Sequence, residues 1–108
     1  MTAQPEARLV AIIQANLKRR GWLVHKLHGS PMQAAGWPDL LAWKAGTAAA
    51  VEVKLPGGKP TKLQAHVLGL LQGQQVRCGV ATSVEEAVAI CEGKKNFETG
   101  VDLPSGKD

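Results

Sequence analysis

A chain of 108 residues that is 44% hydrophobic supports one globular domain around a single core. It has no run approaching the 20 or so apolar residues that cross a bilayer, and Met1-Thr2-Ala3-Gln4-Pro5-Glu6 lacks the basic and apolar regions of a secretory signal, so a cytoplasmic protein is expected. The formal charge is +4, and residues 1–93 hold ten Lys/Arg against six Asp/Glu, which favours a polyanionic partner.

Pro5 and Glu6 open a predicted helix that runs to about Arg20, with Pro in the first turn and a carboxylate at the positive helix end. Leu9, Val10, Ile13 and Leu17 recur at helical spacing, and Lys18-Arg19-Arg20 precede Gly21, a glycine C-cap. Trp22-Leu23-Val24-His25-Lys26-Leu27 reads as the first strand, and His28 to Gly36 as a loop.

The segment from Gly36 to Lys54 carries the chemistry. Two apolar stretches, Leu40-Leu41-Ala42-Trp43 and Ala48-Ala49-Ala50-Val51-Glu52-Val53, flank the short connection Lys44-Ala45-Gly46-Thr47. In a strand Glu52 and Lys54 leave one face and Val51 and Val53 the other. Asp39 follows Pro38, whose ring enforces extended or turn geometry nearby, and pairing of the two strands lets Asp39 approach Glu52. Carboxylates held together are relieved by a shared proton or a divalent cation, and a lysine beside them suits stabilisation of a nucleophile or of charge building on a phosphate. The constellation therefore points to a hard-metal phosphoryl site.

Leu55 to Pro60 is turn-rich. Thr61 then caps a helix with an apolar stripe at Leu63, Val67, Leu70 and Leu71, and Gly73 is expected to end it. Val76 to Ala81 reads as a buried strand, so that residues 48–81 form a βαβ unit with a parallel crossover. Ser83-Val84-Glu85-Glu86 predicts a capping box for a last helix packed through Val84, Ala87, Val88 and Cys91. Cys78 and Cys91 have no metal-ligand spacing and are expected as free buried thiols. Residues 1–93 form the predicted domain. Residues 94–108 form a polar tail, expected to be poorly ordered or to fold only against a partner.

Pro38-Asp39 followed thirteen residues on by Glu52-Val53-Lys54 resembles the PD-(D/E)XK nuclease superfamily. The flanks, Gly36-Trp37-Pro38-Asp39-Leu40 and Gly58-Lys59-Pro60-Thr61-Lys62-Leu63-Gln64, resemble the small stand-alone VRR-NUC nucleases, over Glu6 to about Glu92. The resemblance implies a restriction-endonuclease-like α/β fold, a central mixed sheet flanked by helices in the order α-β-β-β-α-β-α. It implies a DNA endonuclease using Mg²⁺ or Mn²⁺, with Glu6, Asp39, Glu52 and the Val53 carbonyl as ligands, and with Lys54 and Gln64 joining the acids in catalysis. It further implies a homodimer acting on branched DNA like a Holliday junction resolvase, leaving 5′-phosphate ends, in a phage or mobile-element repair setting. Lys26, His28, Lys44, Lys59 and Lys62 are the expected DNA contacts, with Arg77 and His25 behind them. The rival expectations are a flap or linear-duplex nuclease with the same site, a non-catalytic branched-DNA-binding protein, and a toxin or restriction component.

Overall fold

A helix, a three-stranded meander, a helix, a strand and a helix succeed one another in the computed structural model, which describes residues 5–27, 35–95 and 97. They are α1 (Pro5–Arg19), β1 (Leu23–Lys26), β2 (Leu40–Lys44), β3 (Thr47–Val53), α2 (Lys62–Gly73), β4 (Arg77–Ala81) and α3 (Val84–Cys91). The strands form one mixed sheet in the order β1-β2-β3-β4, with β1, β2 and β3 antiparallel in succession and β4 parallel to β3 through the α2 crossover. This is the α/β order expected from the sequence.

The sheet separates two apolar layers. On one face Val10, Ile13 and Leu17 of α1 and Ala87, Ile90 and Cys91 of α3 pack on Val24, Leu40, Ala42, Ala49, Val51, Val53 and Ala81. Side chains as fully buried as Ile13, Leu17, Leu40 and Ile90 each contribute about 1.5–3 kcal/mol of transfer free energy. On the other face Leu68 of α2 packs on Ala50 and Cys78, flanked by Leu41, Leu71, Val76, Val80 and Phe97. The alternation along β3 follows: Val51 and Val53 face α1 and α3, while Ala50 and Glu52 face the α2 side.

The β2–β3 turn is tight. Ala45 (φ 49°) and Gly46 (φ 83°) are both left-handed, as a two-residue turn of type I′ requires, and Lys44 pairs directly with Thr47. That sets every later pair, down to Leu40 with Val51.

Helix ends agree with the sequence in part. Gly21 (φ 94°) closes α1 as expected, its N–H donating to Lys18 O at 3.0 Å while Trp22 N–H donates to Leu17 O at 3.1 Å, the paired bonds of a Schellman motif. α2 ends at Gly73 as expected, but the same pair of bonds places the left-handed position two residues beyond it: Gln75 N–H donates to Gln72 O at 2.9 Å, Val76 N–H donates to Leu71 O at 3.0 Å, and Gln75 takes the left-handed conformation (φ 64°). The register of the return to β4 selects position 75, whatever residue stands there. The capping box also moves. At α3, Ser83 Oγ accepts from Glu86 N–H at 3.1 Å, but the Glu86 carboxylate reaches back to Thr82 N–H at 2.8 Å and Thr82 Oγ1 at 2.6 Å and pairs with Lys95. Lys95 first, and Thr82 second, hold the Glu86 carboxyl at about 2, well below its usual range. The reciprocal box is at α2, between Thr61 and Gln64.

Cys78 and Cys91 are free and buried, one in each apolar layer, and burial pushes both thiols up to about 11. The expected tail begins docked: Phe97 N–H donates to Cys78 O at 2.8 Å on the outer edge of β4 and its ring joins the α2-side layer. Residues 98–108, and the loop residues 28–34 with His28, lie outside the described residues. No described helix is long and apolar enough to cross a membrane.

Gln75 is exposed and bears the cost of a left-handed L-residue, so Gln75→Gly is expected to stabilise the fold by about 1 kcal/mol, seen as a higher midpoint in urea with an unchanged slope.

Candidate active site

Extending the β2–β3 register one step past Leu40 and Val51 sets Asp39 opposite Glu52. Both are buried, at 4% and 2% exposure. Asp39 is fixed from two sides. Its Oδ2 accepts from Val53 N–H at 2.8 Å, and its backbone carbonyl accepts from Leu27 N–H at 2.7 Å, joining the end of β1 to the start of β2. Lys54 N–H donates to Ala81 O at 3.0 Å, carrying the β3–β4 ladder one residue further and orienting the Lys54 side chain. Its Nζ lies 3.2 Å from Glu52 Oε2.

The other carboxylate oxygen, Glu52 Oε1, is buried without a hydrogen-bond partner. Leaving such an atom unsatisfied costs about 1–3 kcal/mol or more for a charged group. The electrostatics agree: burial above all, and then the Asp39 charge, pushes the Glu52 carboxyl from 4.5 up to about 7, against the pull of Lys54 and with a smaller push from Glu6.

This geometry is suited to a hard cation. Mg²⁺ commonly binds through one or two carboxylates and completes its shell with water and substrate phosphate, and Glu52 Oε1 is an oxygen donor with nothing else to bond. Among the described residues no three His, Cys, Asp or Glu side chains converge as a metal cluster, so Glu6, half-buried in the first turn of α1, stands outside the close pair although its charge reaches Glu52.

The remaining expected residues divide by location. Lys26 ends β1 opposite Leu40, at the acidic end of the sheet. Lys59 lies exposed in the connection after Lys54, which folds back so closely that a Cβ on Gly58 would stand 3.2 Å from Lys54 Cβ, and Lys62 opens α2. Gln64 sits in the same first turn, but its Oε1 accepts from Thr61 N–H at 2.9 Å, so only its amide nitrogen is left for other work. Lys44 is at the opposite end of β2, where its Nζ donates to Arg20 O at 2.6 Å and lies 6.0 Å from the centre of the Trp22 ring. Arg77 is there too, donating to Cys91 O at 2.8 Å. These two cations close the C-terminal ends of α1 and α3, a placement that separates them from the acids by the length of β3. Cavities of about 310 and 440 Å³ at that distal end, lined by Trp22, Lys44, Arg77 and Glu92 and by Arg20, Val88, Glu92 and Lys94, are likewise remote from the pair. The sequence reading gave no weight to Leu27, which anchors the Asp39 backbone, because nothing local marks an apolar residue for that task.

The helix-flanked mixed sheet with Asp39 set against Glu52-Val53-Lys54 defines an α/β domain of the PD-(D/E)XK class. A solved structure described as a VRR_NUC domain shares this fold with a TM-score of 0.70 and 27% identity, over 83% of this chain and 97% of that one. That likeness supports reading the chain as a VRR-NUC domain. No family model matches the chain, and no curated protein matches it.

Because Glu52 titrates near 7 in the folded protein instead of near 4.5, folding favours its protonated form. Its contribution to stability is full below about pH 4.5 and is lost as pH rises to about 7, by on the order of 3 kcal/mol at most. Urea unfolding in EDTA across this range is expected to show the wild type losing stability relative to Glu52→Gln as pH rises; parallel curves would reject the assignment.

Proposed function

We propose that this protein is a divalent-metal-dependent, structure-specific DNA endonuclease that hydrolyses phosphodiester bonds, acting as a homodimer on four-way (Holliday) junctions in the cytoplasm. The observation that carries the reading is the buried Asp39–Glu52 pair with its unsatisfied oxygen beside Lys54 on a VRR-NUC fold.

Asp39 and Glu52 would hold Mg²⁺ or Mn²⁺, with the Val53 carbonyl and Glu6 as further donors. When bound, the cation supplies Lewis-acid charge to the phosphate and makes water more acidic. The chain's own groups do the rest. Val53 N–H keeps the Asp39 carboxylate aimed at the site. Lys54, held against Glu52 Oε2, presents an ammonium to an attacking water and to the negative charge that grows on the phosphoryl oxygens. Gln64 contributes through its amide nitrogen, orienting that water or Lys54. Lys26, Lys59 and Lys62 lie toward the acidic end and would take backbone phosphates, as would His28, which lies outside the described residues. Lys44 is a weaker member of this set, since α1 already claims its ammonium. A two-fold assembly suits a junction because symmetric cutting needs two such sites at a fixed spacing.

The decisive test is cleavage of a four-way junction, a flap and a linear duplex in Mg²⁺, Mn²⁺ or EDTA, with Glu52→Gln as control. Paired metal-dependent nicks across the junction are expected, whereas cutting only flap or duplex would keep the chemistry and remove the junction assignment. Asp39→Asn is expected to abolish cleavage while DNA binding is kept or improved, since one negative charge facing phosphate is lost. Lys54→Ala should lower turnover by roughly a hundredfold or more; an unchanged rate in single-turnover assays would exclude its role.

A further inference from the structure

Positive charge gathers at the end of the sheet opposite the acidic pair. Lys18, Arg19 and Arg20 close α1, Lys44 ends β2, Arg77 opens β4 and Lys94 follows α3. Among the described residues the acids lining this end are Glu92 and, farther along the groove between α1 and α3, Glu85. Glu92 is shared between two cations: its carboxylate lies 3.7 Å from Arg20 Nη1 and 3.3 Å from Lys94 Nζ, and both of those side chains stay more than half exposed. The surface is concave on either side of it, since Glu92 lines both of the distal cavities.

Helix ends alone do not account for so much charge. The C-termini of α1 and α3 each carry about half a negative charge, and Lys44 and Arg77, bonded to Arg20 O and Cys91 O, already answer both. What remains is a surplus of about three positive charges, held mostly on exposed side chains. Exposed ion pairs such as those of Glu92 add little to stability, so the fold does not require the cluster. Its chemistry fits a polyanion. Guanidinium and ammonium groups around a concave surface take backbone phosphates, whereas Trp22, the one aromatic residue lining the cavities, is buried beneath Lys44 and offers no platform to unpaired bases. We propose that this distal surface holds the backbone of a duplex arm of the same DNA on which the acidic pair acts, through Arg20 and Lys94 with Lys18 and Arg19 beside them. This deepens the nuclease reading above and rests on it. β3 carries the chain roughly 17 Å from Glu52 to Thr47, the partner of Lys44, which sets the distal phosphates about five base pairs or more from the bond that is cut. Glu92 competes with phosphate for the same two cations.

Binding of the full chain to a labelled four-way junction in EDTA, followed through a salt titration, tests the surface. Arg20→Ala/Lys94→Ala is expected to weaken binding roughly tenfold at low salt and to reduce the salt slope by about 2, while single-turnover cleavage at saturating DNA in Mg²⁺ is unchanged. The carbonyl of Arg20 that accepts from Lys44 survives this substitution, and circular dichroism reports whether the double variant is folded. Glu92→Gln should act in the opposite direction and tighten binding. Ethylation of phosphates about five base pairs or more from the cut should interfere with binding by the wild type and not by the double variant. A folded double variant of unchanged affinity and slope would overturn the distal surface and leave the nuclease reading standing. So would interference confined to the neighbourhood of the cut, or a Glu92→Gln protein that binds no more tightly, and these two readouts decide the matter without the double variant. A wild type that neither binds nor cuts a junction, a flap or a linear duplex would overturn both readings.

Discussion

Everything at the acidic end depends on the register of one hairpin. Ala45 and Gly46 leave Lys44 opposite Thr47, and the pairing then runs without interruption to Leu40 and Val51. A one-residue slip would turn Glu52 and Lys54 toward α1 and α3, and bring Val51 and Val53 out to the α2 side. The apolar demand of two opposed layers therefore enforces the alignment that the acids alone would resist. Val51 and Val53 are held in a helix-covered core, and the carboxylates are carried to each other because they occupy the alternate positions.

The electrostatic cost of that alignment is offset unequally. Asp39 receives a backbone N–H and its peptide is tied to β1, whereas Glu52 has Lys54 on one oxygen and nothing on the other. A site so arranged favours proton or cation uptake, since either would relieve the buried Glu52 charge. Separation of tasks among the basic residues follows the same geometry. Lys26, Lys59 and Lys62 at the acidic end are solvated and Lys54 is paired with Glu52, while Lys44 and Arg77 at the distal end are occupied with helix carbonyls.

Much of this was legible in the chain itself. The period-2 alternation of Val51, Glu52, Val53 and Lys54 and the placement of Asp39 after Pro38 specify the faces and the order of elements, because those signals are local. What the sequence obscured was set by distant partners. Ser83 and Glu86 match a capping box, but Thr82 and Lys95 draw the Glu86 carboxylate away, and the matching Thr61–Gln64 pattern was masked by the role assigned to Gln64. Gly73 is the last residue of α2 as its glycine suggests, but the return of Val76 to Leu71 fixes the left-handed position at Gln75. Lys44 reads as a DNA contact in the sequence because its acceptor, Arg20 O, lies 24 residues earlier.

The bond from Phe97 to Cys78 O has a consequence for how copies of this domain are able to associate. β1 and β4 are the two margins of the sheet, and a margin of one copy paired with the other margin of the next would propagate without limit, as a growing filament. Phe97 occupies an acceptor on the β4 margin with the chain's own backbone and lays its ring beside it. That acceptor is thereby unavailable to a strand of another chain at this margin.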